Sequence, residues 1–229
     1  MPSDVVPSGV MDVLAERLAA VRAGVEDAAS RAGRSVDEIT TIVVTKFHPA
    51  QLVRDLHVLG VRDFGESRHQ EAQPKVAELA DLGGTTWHFI GQLQSKKAKQ
   101  VAEYASVIHS LDRASLVAPL GGSQAFIQVN LTDDPERGGV APAGIAGLAD
   151  LATAGGVDVL GLMAVAPLHT EARAAFARVR QLSEALVRTV PTATALSMGM
   201  SGDYADAILE GATHLRIGTA ITGNRPAKG

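Results

Sequence analysis

The sequence predicts an α/β protein, a single (β/α)8 barrel of the TIM type with one extra helix in front. Three observations predict it. Strand-like runs alternate with helical segments, giving eight strands in about 190 residues. Alternation of this kind implies parallel pairing through right-handed crossovers. The 229 residues are 46% apolar and 20% charged, an ordinary globular balance. No linker, repeat or low-complexity stretch divides the chain, so 1–8 is expected to be a flexible N-terminus and 9–229 one domain. An open doubly wound sheet would show the same alternation.

The leading helix spans 9–32, where Val10, Leu14, Leu18, Val21 and Val25 recur at helical spacing. Gly33 is a natural stop, and Ser35 with Glu38 matches a capping box for one short turn. Residues 39–47 are rich in β-branched side chains and read as the first strand. A helix follows over 49–59, with Pro49 suited to its first turn. The later strands are expected at 62–66, 86–91, 106–111, 124–131, 157–165, 193–200 and 214–221. Helices fill the intervals at 68–81, 95–105, 142–154, 170–189 and 202–211, and 113–120 is a short segment.

Composition excludes several classes. The apolar content is too high, and the net charge of −4 too small, for global disorder. There is no cysteine, hence no disulfide framework, thiolate metal site or cysteine nucleophile. The near-neutral balance and 3% aromatic content argue against a nucleic-acid binder. The first residues lack the basic and apolar regions of a secretory signal, and no apolar run reaches the roughly 18 residues of a membrane span. A cytoplasmic location is expected. The histidines show no His-x-His or ligand spacing, so no metal site is expected; His88, His109 and His214 read as hydrogen-bonded barrel residues.

Parallel barrels carry their chemistry at the C-terminal ends of strands. The first strand ends in Lys46, and period-2 alternation puts Ile42, Val44 and Lys46 on one face. If that face is the barrel interior, little water surrounds the ammonium, and desolvation lowers a lysine pKa. Such lysines form Schiff bases with carbonyl compounds, pyridoxal phosphate among them. The alternative is a lysine snorkelling from a strand end. Ser201-Gly202 and Gly218-Thr219 lie at the ends of strands 7 and 8, the usual phosphate site of this barrel, and Ser201 precedes a helix start. Turn glycines and an N-cap serine would look the same. Barrel closure would bring Arg216 of strand 8 beside strand 1, pointing in beneath the cradle, unless it faces solvent. Met163, at the end of strand 6, either walls the pocket or fills the core.

At these residues the chain resembles the pyridoxal phosphate homeostasis proteins. The matching segments are Val44-Thr45-Lys46, Phe64-Gly65-Glu66, Trp87-His88-Phe89-Ile90-Gly91, Leu93-Gln94, His109-Ser110-Leu111-Asp112-Arg113, Gly161-Leu162-Met163, Ser197-Met198-Gly199-Met200-Ser201 and Arg216-Ile217-Gly218-Thr219-Ala220-Ile221. They run over about 36–225 in the family's order. The resemblance implies a fold-type III barrel like the N-terminal domain of alanine racemase, with pyridoxal 5′-phosphate held as a Schiff base on Lys46. It implies that Ser201, Gly202, Gly218 and Thr219 hold the phosphate and that Arg216 faces the pyridine nitrogen. A cation there disfavours ring protonation and damps carbanion chemistry. The implied role is cofactor homeostasis without robust catalysis. The implied partners are the cofactor and pyridoxal phosphate-dependent apoenzymes, not nucleic acid or membrane, with the chain a monomer or weak homodimer. The sequence departs from the family's pattern at Ser67, Lys96, Gly202 and Thr222, and 113–123 is shorter than in relatives.

Two rivals stay open. A racemase of low activity needs an acid–base group on each substrate face, and Tyr104 and Tyr204 are the only tyrosines available. A lysine aldolase or phosphosugar enzyme would also combine a barrel, a lysine and a phosphate site. The Lys96-Lys97-Ala98-Lys99 run reads as a solvated helix face.

Overall fold

The computed structural model describes residues 8–134 and 136–224. Its eight parallel strands close into a barrel in chain order: β1 (Thr40–Val44), β2 (Asp63–Glu66), β3 (Thr86–Phe89), β4 (Val107–Leu111), β5 (Gln124–Gln128), β6 (Asp158–Met163), β7 (Ala195–Ser197) and β8 (His214–Ile217). Closure is direct, because β8 pairs with β1 and sets Ile42 against Arg216. The open doubly wound alternative is thereby excluded. Around the strands lie α1 (Ser8–Arg31), α2 (Ala50–Val58), α3 (His69–Glu78), α4 (Ser95–Ala102), α5 (Ile145–Ala154), α6 (Ala172–Val187), α7 (Tyr204–Leu209) and α8 (Thr219–Thr222). Of the segment expected to be flexible, residues 1–7 lie outside the described residues, and Ser8 already opens α1. No described helix is long and apolar enough to cross a membrane.

The extra helix has a packing role. Leu14, Leu18, Val21, Val25 and Ala28 form its buried stripe, and α1 lies against α7 and α8. Fully burying each such aliphatic side chain contributes roughly 1.5–3 kcal/mol. Tyr204 on α7 packs beneath α1 so closely that a Cβ on Gly24 would come within 2.1 Å of its hydroxyl. At the far end Ser35 and Glu38 form the expected capping box around a single 3₁₀ turn.

Strands 1, 3, 5, 6, 7 and 8 are shorter than their apolar runs suggest. The clearest correction concerns 214–221, expected as one strand. It stops at Ile217, and Thr219–Thr222 forms a helical turn in which the Ile221 and Thr222 N–H groups donate to Gly218 O. β-branched composition reports burial as well as extension, so it overruns the true end. Segment 113–120 becomes two 3₁₀ turns, Ala114–Leu116 and Ala118–Leu120, with Leu116 and Leu120 fully buried. They replace a regular helix on that side of the barrel.

The barrel interior is unusually polar. Val107, Phe126 and Met163 form a small apolar cluster there, where branched aliphatic layers are the rule. His88 and His109 are buried beside them, and the His109 ring stacks on Phe126 at 4.7 Å. The strand geometry bends to fit. Opposite Phe126 the register of β6 shifts at Gly161, whose φ is +150°, and a Cβ there would sit 1.8 Å from Ala195 O.

Candidate functional site

The C-terminal mouth of the barrel holds a pocket of about 470 Å³, lined by Val44, Lys46, Ile90, Val165, Met200, Ser201, Gly202, Arg216, Gly218 and Thr219. Six of the seven residues singled out in the sequence therefore meet in one place. Met163 does not. It is buried in the interior cluster, and Val165 takes the wall position after β6. The two roles open for Met163 part on one physical point: it belongs to the last inward-facing layer of β6, below the mouth.

Lys46 stands just beyond β1, in a turn rather than in the strand. The His48 N–H donates to Thr45 O at 3.1 Å, and Phe47 takes φ +67°. A bulky residue in that left-handed region is strained by about 1–2 kcal/mol. The Lys46 side chain is exposed, with Nζ 5.9 Å from the Phe47 ring centroid. This corrects the expected desolvation of its ammonium, because the chain leaves the barrel two residues earlier than period-2 alternation assumes. Lys46 reaches the pocket from its rim.

A buried ion pair anchors the turn from below. Lys75 Nζ donates to Thr45 O at 3.0 Å and to Glu66 Oε1 at 2.6 Å, and Thr45 Oγ1 donates to the same oxygen at 2.7 Å. Glu66 is 1% exposed and Lys75 8%. Burial, and then the Lys75 charge, lower the pKa of the adjacent His48. Sequence reading misses this pair. Glu66 at the end of the apolar run Phe64-Gly65 signals a buried acid in need of a cation, but nothing in a uniformly polar helix marks Lys75 as its partner.

The anion side of the pocket differs in one respect from its expected construction. Helix α7 begins at Tyr204, behind Asp203, whose Oδ1 accepts the Met200 N–H at 2.5 Å. Ser201 is therefore not its N-cap. Instead the Ser201 hydroxyl accepts the Ala220 N–H at 3.3 Å and the Thr219 hydroxyl at 3.5 Å. Ser201 ties the loop after β7 to the first turn of α8, so both predicted Gly/Ser/Thr pairs converge. The Gly202 backbone is open, with no atom within 4 Å of where a Cβ would stand.

Arg216 points inward, 5% exposed, as parity predicts. Its Nη1 donates to Ser197 Oγ at 2.6 Å and its Nη2 to Ala164 O at 2.9 Å. Burial pulls its pKa down to about 10, with Asp203 opposing, so the group is still a cation at neutral pH. The two tyrosines lie elsewhere. Tyr204 is under α1, and Tyr104 stacks on His69 at a ring distance of 6.0 Å. Burial, aided by Glu66, raises the Tyr104 pKa.

The interior histidines impose a pH dependence. Burial, with His88 second, drives His109 well below the ordinary imidazole range, and burial lowers His214 to about 4. The unfolded chain titrates these groups near 6.5. As pH falls from about 6.5 to 4, the unfolded state takes up protons that the folded state refuses, so stability is lost over that window. For His214 the loss reaches about 3 kcal/mol. Urea unfolding at several pH values between 7 and 4.5 should show it, and His214→Gln should flatten the slope; identical slopes would contradict the assignment. Among the described residues no cluster of three His, Asp or Glu could hold a metal ion.

The alanine racemase N-terminal domain family model matches residues 17–226. A pyridoxal phosphate homeostasis protein of Pseudomonas aeruginosa is 41% identical over 228 residues, spanning 94% of this chain and 97% of that protein. The structure of PipY from Synechococcus elongatus, solved with PLP bound, superposes with a TM-score of 0.79 at 37% identity, over 92% of this chain and all of that one. An alanine racemase of Corynebacterium glutamicum gives a TM-score of 0.68 at 15% identity, over 96% of this chain and 62% of that one, and shares the fold.

Proposed function

Because the chain belongs to the family of pyridoxal phosphate homeostasis proteins, built on the alanine racemase N-terminal domain, we propose that it binds pyridoxal 5′-phosphate in the mouth pocket and serves the supply of that cofactor. One observation carries the reading. An exposed primary amine, a buried guanidinium and a hydroxyl–backbone cradle line the same cavity, and none of its described lining residues is a carboxylate. That donor set matches a phosphorylated aldehyde carrying a pyridine ring, and about 470 Å³ lies within the usual range of small-ligand sites.

Lys46 is the covalent anchor, as a Schiff base. Ser201, Gly202, Gly218 and Thr219 receive the phosphate. Arg216 faces the ring nitrogen, and its charge opposes protonation there. When bound, the cofactor supplies an electrophilic aldehyde and an electron-withdrawing ring. An unprotonated ring withdraws electrons weakly, which favours carriage over turnover. The placement of both tyrosines away from the pocket supports the same reading over an amino-acid racemase, since neither supplies a base opposite Lys46. Pyridoxal phosphate-dependent apoenzymes are the proposed recipients.

Titration of the purified chain with pyridoxal phosphate, followed by visible absorbance, tests this. A saturating band at one equivalent is expected, with pyridoxal lacking the phosphate bound at least about tenfold more weakly, since charge-assisted hydrogen bonds contribute roughly 1.5–3 kcal/mol each. No band, or equal affinity for the two ligands, would overturn the assignment. Assays with L- and D-alanine on the loaded protein separate carriage from racemisation.

A further inference from the structure

Beneath Arg216 an unbroken file of hydrogen-bonding side chains crosses the barrel interior to its opposite end. Arg216 Nη1 lies 2.6 Å from Ser197 Oγ, which lies 2.8 Å from His109 Nδ1. His109 Nε2 is 2.9 Å from His88 Nδ1, and His88 Nε2 is 3.1 Å from Asp63 Oδ1. Ser197 and His109 are fully buried and His88 is 3% exposed. Only Asp63 opens outward, onto a cleft of about 400 Å³ between α1 and the first two strands, which Arg22, Glu26 and Arg62 also line.

The two ends dictate the direction of every bond between them. A guanidinium can only donate, and an ionised carboxylate can only accept. With one proton on each imidazole and one on the hydroxyl, all four bonds form in a single way. Ser197 accepts from Arg216 and donates to His109 Nδ1. His109 donates from Nε2 to His88 Nδ1, and His88 donates from Nε2 to Asp63. His109 is fully buried, and burial favours its neutral form. His214 faces both imidazoles, at ring distances of 6.5 Å from His88 and 6.4 Å from His109, with its own Nδ1 2.8 Å from Thr213 Oγ1.

We propose that Asp63, His88, His109 and Ser197 are positioning residues, a one-way hydrogen-bond relay that orients the Arg216 guanidinium in the mouth from a carboxylate on the barrel floor. The relay has one alternative setting. A second proton on His88 turns its Nδ1 into a donor and forces His109 into its other tautomer. Ser197 Oγ then accepts from both N–H groups, and its own proton loses its acceptor on His109. Arg216 is thus sensitive to the floor of the barrel, even though Asp63 does not line the mouth pocket.

The direction of the relay is independent of the cofactor, whereas its consequence for the ligand rests on the function proposed above. The experiment separates them. Nitrogen NMR of the chain labelled at histidine and arginine, without any ligand and near pH 7.5, should find both His88 and His109 protonated at Nε2. Asp63→Ala should mix the His109 tautomers and shift the Arg216 guanidinium resonance. It should also change the affinity for pyridoxal phosphate by about threefold to tenfold, or about 0.7–1.4 kcal/mol. A His109 proton on Nδ1 in the wild-type chain overturns the proposal without recourse to any variant. So does an Asp63→Ala chain, folded by circular dichroism, whose Arg216 resonance is unmoved. If the wild-type chain binds no pyridoxal phosphate, the proposed function fails, and the tautomer and guanidinium readings still decide the relay.

Discussion

Replacing Lys46 with alanine is expected to abolish the visible band that pyridoxal phosphate forms with the chain and to leave the melting temperature nearly unchanged. The side chain is exposed on a turn beyond β1 and contributes nothing to the core, so its loss costs little stability. Its amine, however, stands at the pocket rim, with the cradle of Ser201 and Thr219 lining the same cavity. After borohydride treatment, the adduct should fall from about one per chain to none. The alanine variant keeps Arg216 and the cradle, so weak binding that inorganic phosphate displaces should persist. Lys75 cannot substitute, because its Nζ is held 2.6 Å from Glu66 and 3.0 Å from Thr45 O. A borohydride-fixed adduct of equal yield in the variant would remove Lys46 from its assigned role.

The second large effect is on stability. Lys75→Met strands the Glu66 carboxylate in the barrel wall, 1% exposed, with Thr45 Oγ1 as its remaining donor and its Oε2 already without a hydrogen-bond partner. Removing one member of a buried pair costs about 3–5 kcal/mol, whereas replacing both by apolar groups is often neutral. For a chain of this size that corresponds to a drop of roughly 10 °C in melting temperature. The double variant Lys75→Met with Glu66→Met should recover most of it. Because Lys75 also holds Thr45 O, the single variant should weaken the binding that depends on Lys46. A single variant melting within a degree or two of wild type would show that the pair contributes little.

Local signals account for much of the fold. Repeated β-branched runs separated by helical periodicity require parallel strands with crossovers, and that leaves a barrel or an open sheet. Gly33, the Ser35–Glu38 box and the stripe from Leu14 to Val25 mark real boundaries, because caps and amphipathic stripes depend on neighbours in sequence. Strand ends are less legible. Residues 218–221 are as apolar and β-branched as a strand, and only the turn of the chain at Gly218 makes them α8. The site is legible where spacing and residue type coincide. Lys46, Arg216, Ser201 and Gly218-Thr219 sit at strand ends, and closure of β8 on β1 brings them to one mouth.

The order of elements and the identity of the groups at the mouth follow from local pattern along the chain. Which groups face one another follows from the closed barrel. It placed Lys46 on an exposed turn, paired Glu66 with Lys75, and moved the capping role of Ser201 from α7 to α8. It also threaded Asp63, His88, His109 and Ser197 into one file, although 134 residues separate Asp63 from Ser197 in the chain. The physical reason is the same in each case. A hydrogen bond or ion pair forms over about 3 Å between particular atoms, and closure of the barrel sets that distance between residues whose spacing along the chain carries no trace of it.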